Sequence, residues 1–421
     1  MTPITHRIPG LVLTDHRFEV PLDHDDPTGP SIEVFAREVT SPSAKPDLPW
    51  LVFFQGGPGF ASPRPTDAGG WIGRAIADYR VLLLDQRGTG LSTPVLPQTL
   101  AAFTSPRAQA DYLRLFRADA IVRDAEHIRR ELAADAPWSV LGQSFGGFCV
   151  THYLSAAPQG LREAFITGGL PPIGVPPDDF YRATLRRAVD RTHDYQRRYP
   201  GDAAIVRRLV AQLAARDVRL PDGAPLTPRR FGQIGWGIGM SDGPAKLHYL
   251  IEDAYAHGGD DPADPFLRQV WSEQPFETNP IYALLHEACV CDGDASRWSA
   301  ERVRPEFPEL NAPEAFTGEG IYRWMFEDYP ALRPFAETAD LLAEHQWPRL
   351  YDPDVLAANT VPCAAALYYD DLYVERTFSE TTAAAVQGMR VWVTNEYEHN
   401  GLRADGANIL DRLIAMARGE K

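Results

Sequence analysis

Three short stretches of this chain carry residues whose types and spacing suit acyl-transfer chemistry. The first is Gly142-Gln143-Ser144-Phe145-Gly146, a G-x-S-x-G pentapeptide. Between a strand and a helix, small residues two before and two after the serine allow a sharp turn that lifts its hydroxyl out as a nucleophile. The helix N-terminus that follows favours negative charge. The second is Gln55-Gly56-Gly57-Pro58-Gly59. Acyl transfer needs two backbone N–H groups aimed at the developing oxyanion. One belongs to the residue after the nucleophile, here Phe145, and the other to the loop after an early strand, here Gly57. The third is a base. Of eleven histidines, only His399 follows the last strand pattern, in Asn395-Glu396-Tyr397-Glu398-His399-Asn400-Gly401. The order serine, acid, histidine then places the acid after the preceding strand, where Asp370 and Asp371 stand side by side. Spacing alone leaves both aspartates open. A histidine that takes the serine proton and returns it to the leaving group completes a nucleophilic triad.

These residues need a scaffold that brings distant segments together. Short apolar runs at 50–54, 80–84, 139–141 and 164–167 alternate with helical spacing at 120–132 and 148–156. That alternation predicts a parallel sheet buried on both faces. Strand patterns at 18–22 and 32–39 precede it. From about 178 to 346 nearly every periodic segment reads as helix: 180–198, 203–216, 245–257, 281–290, 321–327 and 332–346. Strand patterns return at 363–369 and 390–394, and a helix over 407–417 closes the chain. The expected organisation is an α/β core over 1–172, an inserted all-helical cap over 173–350, and the rest of the core over 351–421.

Composition narrows the function classes. With 44% apolar and 23% charged residues in 421, the chain is an ordinary globular protein with ample core. Its formal net charge of −16 argues against nucleic acid or an anionic membrane as partner. The N-terminal residues lack the apolar stretch of a signal peptide, and the four cysteines are too few for a disulfide scaffold. A reduced, cytoplasmic protein is the expectation. His286-Glu287-Ala288-Cys289-Val290-Cys291 lacks metal-ligand spacing, so its thiols read as packed side chains, and no metal or cofactor is expected. Cys149, five residues after Ser144, reads as a small hydrophobe, and Asp85-Gln86-Arg87-Gly88 as mainly structural.

Taken together, Gly56-Gly57-Pro58-Gly59, the run Asp85-Gln86-Arg87-Gly88-Thr89-Gly90-Leu91-Ser92, and Gly142-Gln143-Ser144-Phe145-Gly146-Gly147 resemble the proline iminopeptidases, serine peptidases of the α/β-hydrolase fold. The stretches Asn279-Pro280-Ile281-Tyr282-Ala283-Leu284-Leu285-His286-Glu287 and Asn395–Gly401 resemble the longer bacterial form. Gln55 stands where many members carry His, and Phe145 where many carry Trp. The resemblance implies removal of an N-terminal proline from peptides, with Ser144 as nucleophile, His399 as base and Asp371 as acid. A cationic proline amine calls for carboxylates close to the nucleophile. The family's cap glutamate falls on Glu287, with Glu252 and Asp242 as further candidates. Trp236, Tyr322 and Trp324 are candidates for a proline pocket, although aromatic residues at helical spacing more often fill cores. The competing readings are an esterase or amidase on other acyl substrates, and a non-catalytic binding module on the same scaffold.

Overall fold

The computed structural model describes residues 3–274, 276 and 279–421. Nine strands form one sheet: β1 (Ile4–Ile8), β2 (Leu11–Pro21), β3 (Ser31–Thr40), β4 (Trp50–Phe54), β5 (Arg80–Leu84), β6 (Trp138–Gln143), β7 (Leu161–Thr167), β8 (Cys363–Tyr368) and β9 (Met389–Thr394). Their spatial order is β1-β2-β3-β5-β4-β6-β7-β8-β9. The first three strands and the β3–β5 pair are antiparallel. The pairs from β5–β4 through to β8–β9 are parallel.

The apolar runs form strands because both faces of the parallel part are covered. Along β4, Trp50, Val52 and Phe54 join one core cluster, and Leu51 and Phe53 join the other. This is the two-residue alternation of a pleated strand with apolar partners on each side. Helices Ala118–Ala133 and Phe145–Ala156 cover the first face with Ile121, Val122, Ala125, Ile128 and Val150. Helix Gly401–Arg418 covers the second with Ile409, Leu410, Leu413 and Ile414.

Between β7 and β8 the described residues are helical or irregular, apart from an isolated bridge between Arg219 and Pro225. Helices Pro177–Arg198 and Asp202–Ala215 bury Phe180, Leu185 and Leu209 in the same cluster as the first sheet face. The insert is therefore packed onto the sheet.

Some elements differ from the sequence expectation. Strand β1 is absent from it: β1 is exposed along almost all its length, so burial writes no pattern there. It pairs with β2 through a turn at Gly10, whose φ of +79° suits glycine. The run expected as helix over 281–290 splits into Pro280–Leu285 and a 3₁₀ turn Glu287–Val290. The 332–346 helix shortens to a turn Arg333–Phe335 plus Ala336–Ala343, since Pro334 has no N–H to continue a helix. Only Met325–Asp328 of the 321–327 region is α-helical.

Candidate active site

Ser144 stands between β6 and helix Phe145–Ala156 with φ +55° and ψ −127°. A non-glycine residue at positive φ is strained, and it persists only where its surroundings enforce it. Here they do. A Cβ on Gly142 would overlap the Gly146 carbonyl, and one on Gly146 would overlap the Phe54 carbonyl. Strand and helix thus approach too closely for any side chain at those two positions. The turn is tied by hydrogen bonds from the Ser144 amide to Thr167 O (3.0 Å) and from the Gly147 amide to Ser144 O (2.7 Å).

His399 lies in the loop between β9 and helix Gly401–Arg418. Its Nε2 is 3.0 Å from Ser144 Oγ and its Nδ1 is 2.8 Å from Asp371 Oδ2. Asp371 sits just past β8. Its Oδ1 accepts the amides of Tyr373 (2.8 Å) and Val374 (3.0 Å), leaving Oδ2 for the imidazole. The fold thereby separates the two aspartates: Asp371 is 2% exposed against the ring, whereas Asp370 points outward, 3.5 Å from Arg187. Burial disfavours the charged imidazolium, but the Asp371 charge and hydrogen bond outweigh it, and the pKa of His399 ends above its usual value. The Tyr373 ring packs 4.5 Å from the imidazole.

The loop after β4 runs beside the serine. A Cβ on Gly56 would fall 2.9 Å from Ser144 Cβ, so glycine is what lets this backbone come close. Among the described residues, no hydrogen bond occupies the Gly57 or Phe145 amide. The Asp85–Ser92 segment braces the loop, with Gln86 Nε2 donating to Gln55 O at 3.0 Å. Asp85 accepts the Ser62 and Leu91 amides and pairs with Arg64. Arg87 is 1% exposed, donates to Asp124 at 2.7 Å, and reaches the carbonyls of Leu22 and Leu115.

The three carboxylates named from the sequence stand elsewhere or are already satisfied. Glu287 is buried, and its oxygens accept the amides of Ser299 (3.3 Å) and Ala300 (3.0 Å), which open helix Ser299–Val303. Burial pushes its pKa up, with those hydrogen bonds opposing. It caps a helix. Glu252 is exposed and lies 3.4 Å from His248. Asp242 lies at the rim of the cavity beside His399, where Arg403 (2.7 Å) and Lys246 (2.9 Å) already neutralise it.

A partly buried carboxylate absent from the sequence expectation, Glu319, stands near His399. It accepts a hydrogen bond from Tyr282 Oη and lies 3.3 Å from His286 Nε2. It is close enough to His399 to help raise the imidazole pKa. Burial pushes the Glu319 pKa up, but His286, Tyr282 and His399 outweigh that and hold it below its ordinary value. It is therefore a charged acceptor inside the site. Sequence reasoning missed it because it sits in a loop without periodicity. The available signal was Gly318-Glu319-Gly320, where glycines bracket a single acid and Gly318 has φ +62°. The sequence reading stopped one position away from this network, at Glu287, whose neighbour His286 belongs to it.

Of the aromatic candidates, Trp236 lines the large cavity beside His399. Tyr322 and Trp324 line a separate cavity further out, stacked 5.8 Å apart. The four cysteines are buried and free. Among the described residues, no group of three or more His, Cys, Asp or Glu side chains is arranged to hold a metal ion, and no helix is long and apolar enough to cross a membrane.

Comparison with known proteins agrees with this architecture. The alpha/beta hydrolase fold family matches residues 49–260. A proline iminopeptidase of Aeromonas sobria is 50% identical, over 99% of this chain and 99% of its own. A proline iminopeptidase of Aspergillus aculeatus is 36% identical, over 98% of this chain and 95% of its own. Among solved structures, proline iminopeptidase from Mycobacterium smegmatis is similar with a TM-score of 0.45 and 17% identity, covering 96% of this chain and 100% of its own.

Proposed function

This chain belongs to the proline iminopeptidase family of α/β hydrolases, and from that premise we propose that it is a serine exopeptidase releasing N-terminal proline from peptides through an acyl-enzyme. The observation that carries the reading is the hydrogen-bonded line Ser144–His399–Asp371 with a charged carboxylate, Glu319, beside it.

The chemistry follows from these atoms. Ser144 Oγ attacks the prolyl carbonyl carbon as its proton passes to His399 Nε2. The carbonyl oxygen becomes an oxyanion held by the Gly57 and Phe145 amides. Asp371 keeps Nδ1–H oriented and stabilises the imidazolium. The C–N bond then breaks, and His399 gives its proton to the leaving amine. Water repeats the sequence on the acyl-enzyme: its proton goes to His399, free proline leaves, and Ser144 regains its hydrogen. Glu319 anchors the cationic proline amine by charge-assisted hydrogen bonds. Because the amine is the anchor, cleavage is confined to the first residue.

The helical insert serves as the cap that carries this anchor over the serine. The four buried, free thiols suit a reducing compartment, and we place the protein in the cytoplasm. The test is cleavage of proline 2-naphthylamide against its N-acetyl form. Loss of at least 100-fold on acetylation is expected (~2.7 kcal/mol). Equal cleavage of both would make the protein an amidase or esterase.

A further inference from the structure

His399 has two different neighbourhoods. On one side lies the acidic network of Glu319, Tyr282 and His286. A cavity of about 670 Å³ also opens beside the imidazole, lined by His399 itself, Gln55, Gln143, an apolar wall and the charged side chains of Asp242, Lys246, Glu273 and Arg403. The wall includes Trp71, Ile234, Met240, Leu247 and Leu250. None of Glu319, Tyr282 and His286 lines it. Its volume is room for roughly 20 water molecules, far more than a five-membered ring fills. It lies in the range of sites that enclose whole small ligands.

A peptide has a direction. If the proline amine is held at Glu319 and its carbonyl lies at Ser144, the chain beyond the scissile bond leaves His399 on the side away from Glu319. The cavity touches His399, the group that must protonate the departing amine, and has no lining residue from the Glu319 network. We propose that it is the leaving-group pocket, and that it selects peptides whose second residue has a large apolar side chain. This rests on the reading of Glu319 as amine anchor. The apolar wall supplies affinity by removing such a side chain from water. The apolar wall offers a charged side chain no partner, and the cations of the lining, Lys246 and Arg403, are already paired with Asp242.

The experiment compares kcat/KM for prolinamide, Pro-Gly-NH2, Pro-Phe-NH2, Pro-Leu-NH2 and Pro-Asp-NH2 on the full chain. Phe and Leu should exceed Gly by about 10- to 100-fold, and Asp should fall below both. In Met240→Trp, which fills part of the cavity from its partly exposed rim, the Phe/Gly ratio should fall at least fivefold while prolinamide stays within twofold. A wild-type panel flat within twofold, with prolinamide cleaved, overturns the pocket assignment and leaves proline release standing. If no compound in the panel is cleaved, both readings fall.

Discussion

Replacing Glu319 by Gln keeps the shape of the side chain and one acceptor for Tyr282 Oη but removes the charge that is to meet the substrate amine. The site bounds the effect. The Glu319 side chain is 19% exposed, so bulk water screens it only in part. A unit charge pair 4 Å apart at an effective dielectric of about 20 is attracted by ~4 kcal/mol. Stripping water from the amine offsets part of that, and a hydrogen bond to a charged group contributes about 1.5–3 kcal/mol net. The expected loss in kcat/KM for a prolyl amide is therefore roughly 10- to 200-fold. A small acyl ester without an amine should lose less than threefold. The pH profile supplies a second readout. Glu319 helps hold His399 in its charged form, so removing the carboxylate lowers the imidazole pKa and moves the acid limb of kcat/KM to lower pH. A residue with only a structural role would not move that limb selectively. An unchanged rate on prolyl amide, or equal losses with and without the amine, would refute the anchor. Glu287→Gln is the contrasting variant. Its carboxylate receives the first amides of helix Ser299–Val303, so the melting temperature should fall while the preference for a free amine stays within twofold.

In the wild type, the acid limb of kcat/KM should have its midpoint above the imidazole's usual value of about 6.5, because Asp371 and Glu319 raise the His399 pKa; a midpoint below that value in steady-state rates contradicts the geometry. Asp371→Asn should lower that midpoint and cut kcat by about 10⁴, as loss of the orienting acid does in serine proteases generally, whereas Asp370→Asn should leave kcat within twofold. Ser144→Ala should abolish labelling by a fluorophosphonate and reduce turnover by several orders of magnitude. Asp124→Asn leaves the buried Arg87 guanidinium without its counter-charge. It should cost about 3–5 kcal/mol of stability, read as a lower urea midpoint.

Much of the proposed catalytic constellation was legible in the sequence. The elbow is a local device: Gly142, Ser144 and Gly146 are close in sequence, and their steric requirement is written in residue size. His399 was legible by order along the chain, as the one histidine after the last strand pattern. Strands β4 and β8 announced themselves because both faces are buried and every position is apolar. Choosing between Asp370 and Asp371 required the fold, since adjacent residues past a strand point opposite ways and only Asp371 is met by the Tyr373 and Val374 amides and the imidazole. The carboxylate of the proposed anchor left only a faint mark, the glycines on either side of Glu319. A glutamate in a loop has no period, and in a chain with 57 acidic residues its type is no distinction. What separates Glu319 from Glu287 is which hydrogen-bond donors each one finds: helix amides for Glu287, and Tyr282 and His286 beside the triad for Glu319. Steric rules among near neighbours reside in the sequence itself, so it marked the candidate nucleophile, the class of fold and the order of the proposed triad. Electrostatic partnership between segments far apart exists only once the chain has closed on itself, so the tertiary structure alone decided which aspartate meets the histidine and which glutamate joins Tyr282 and His286.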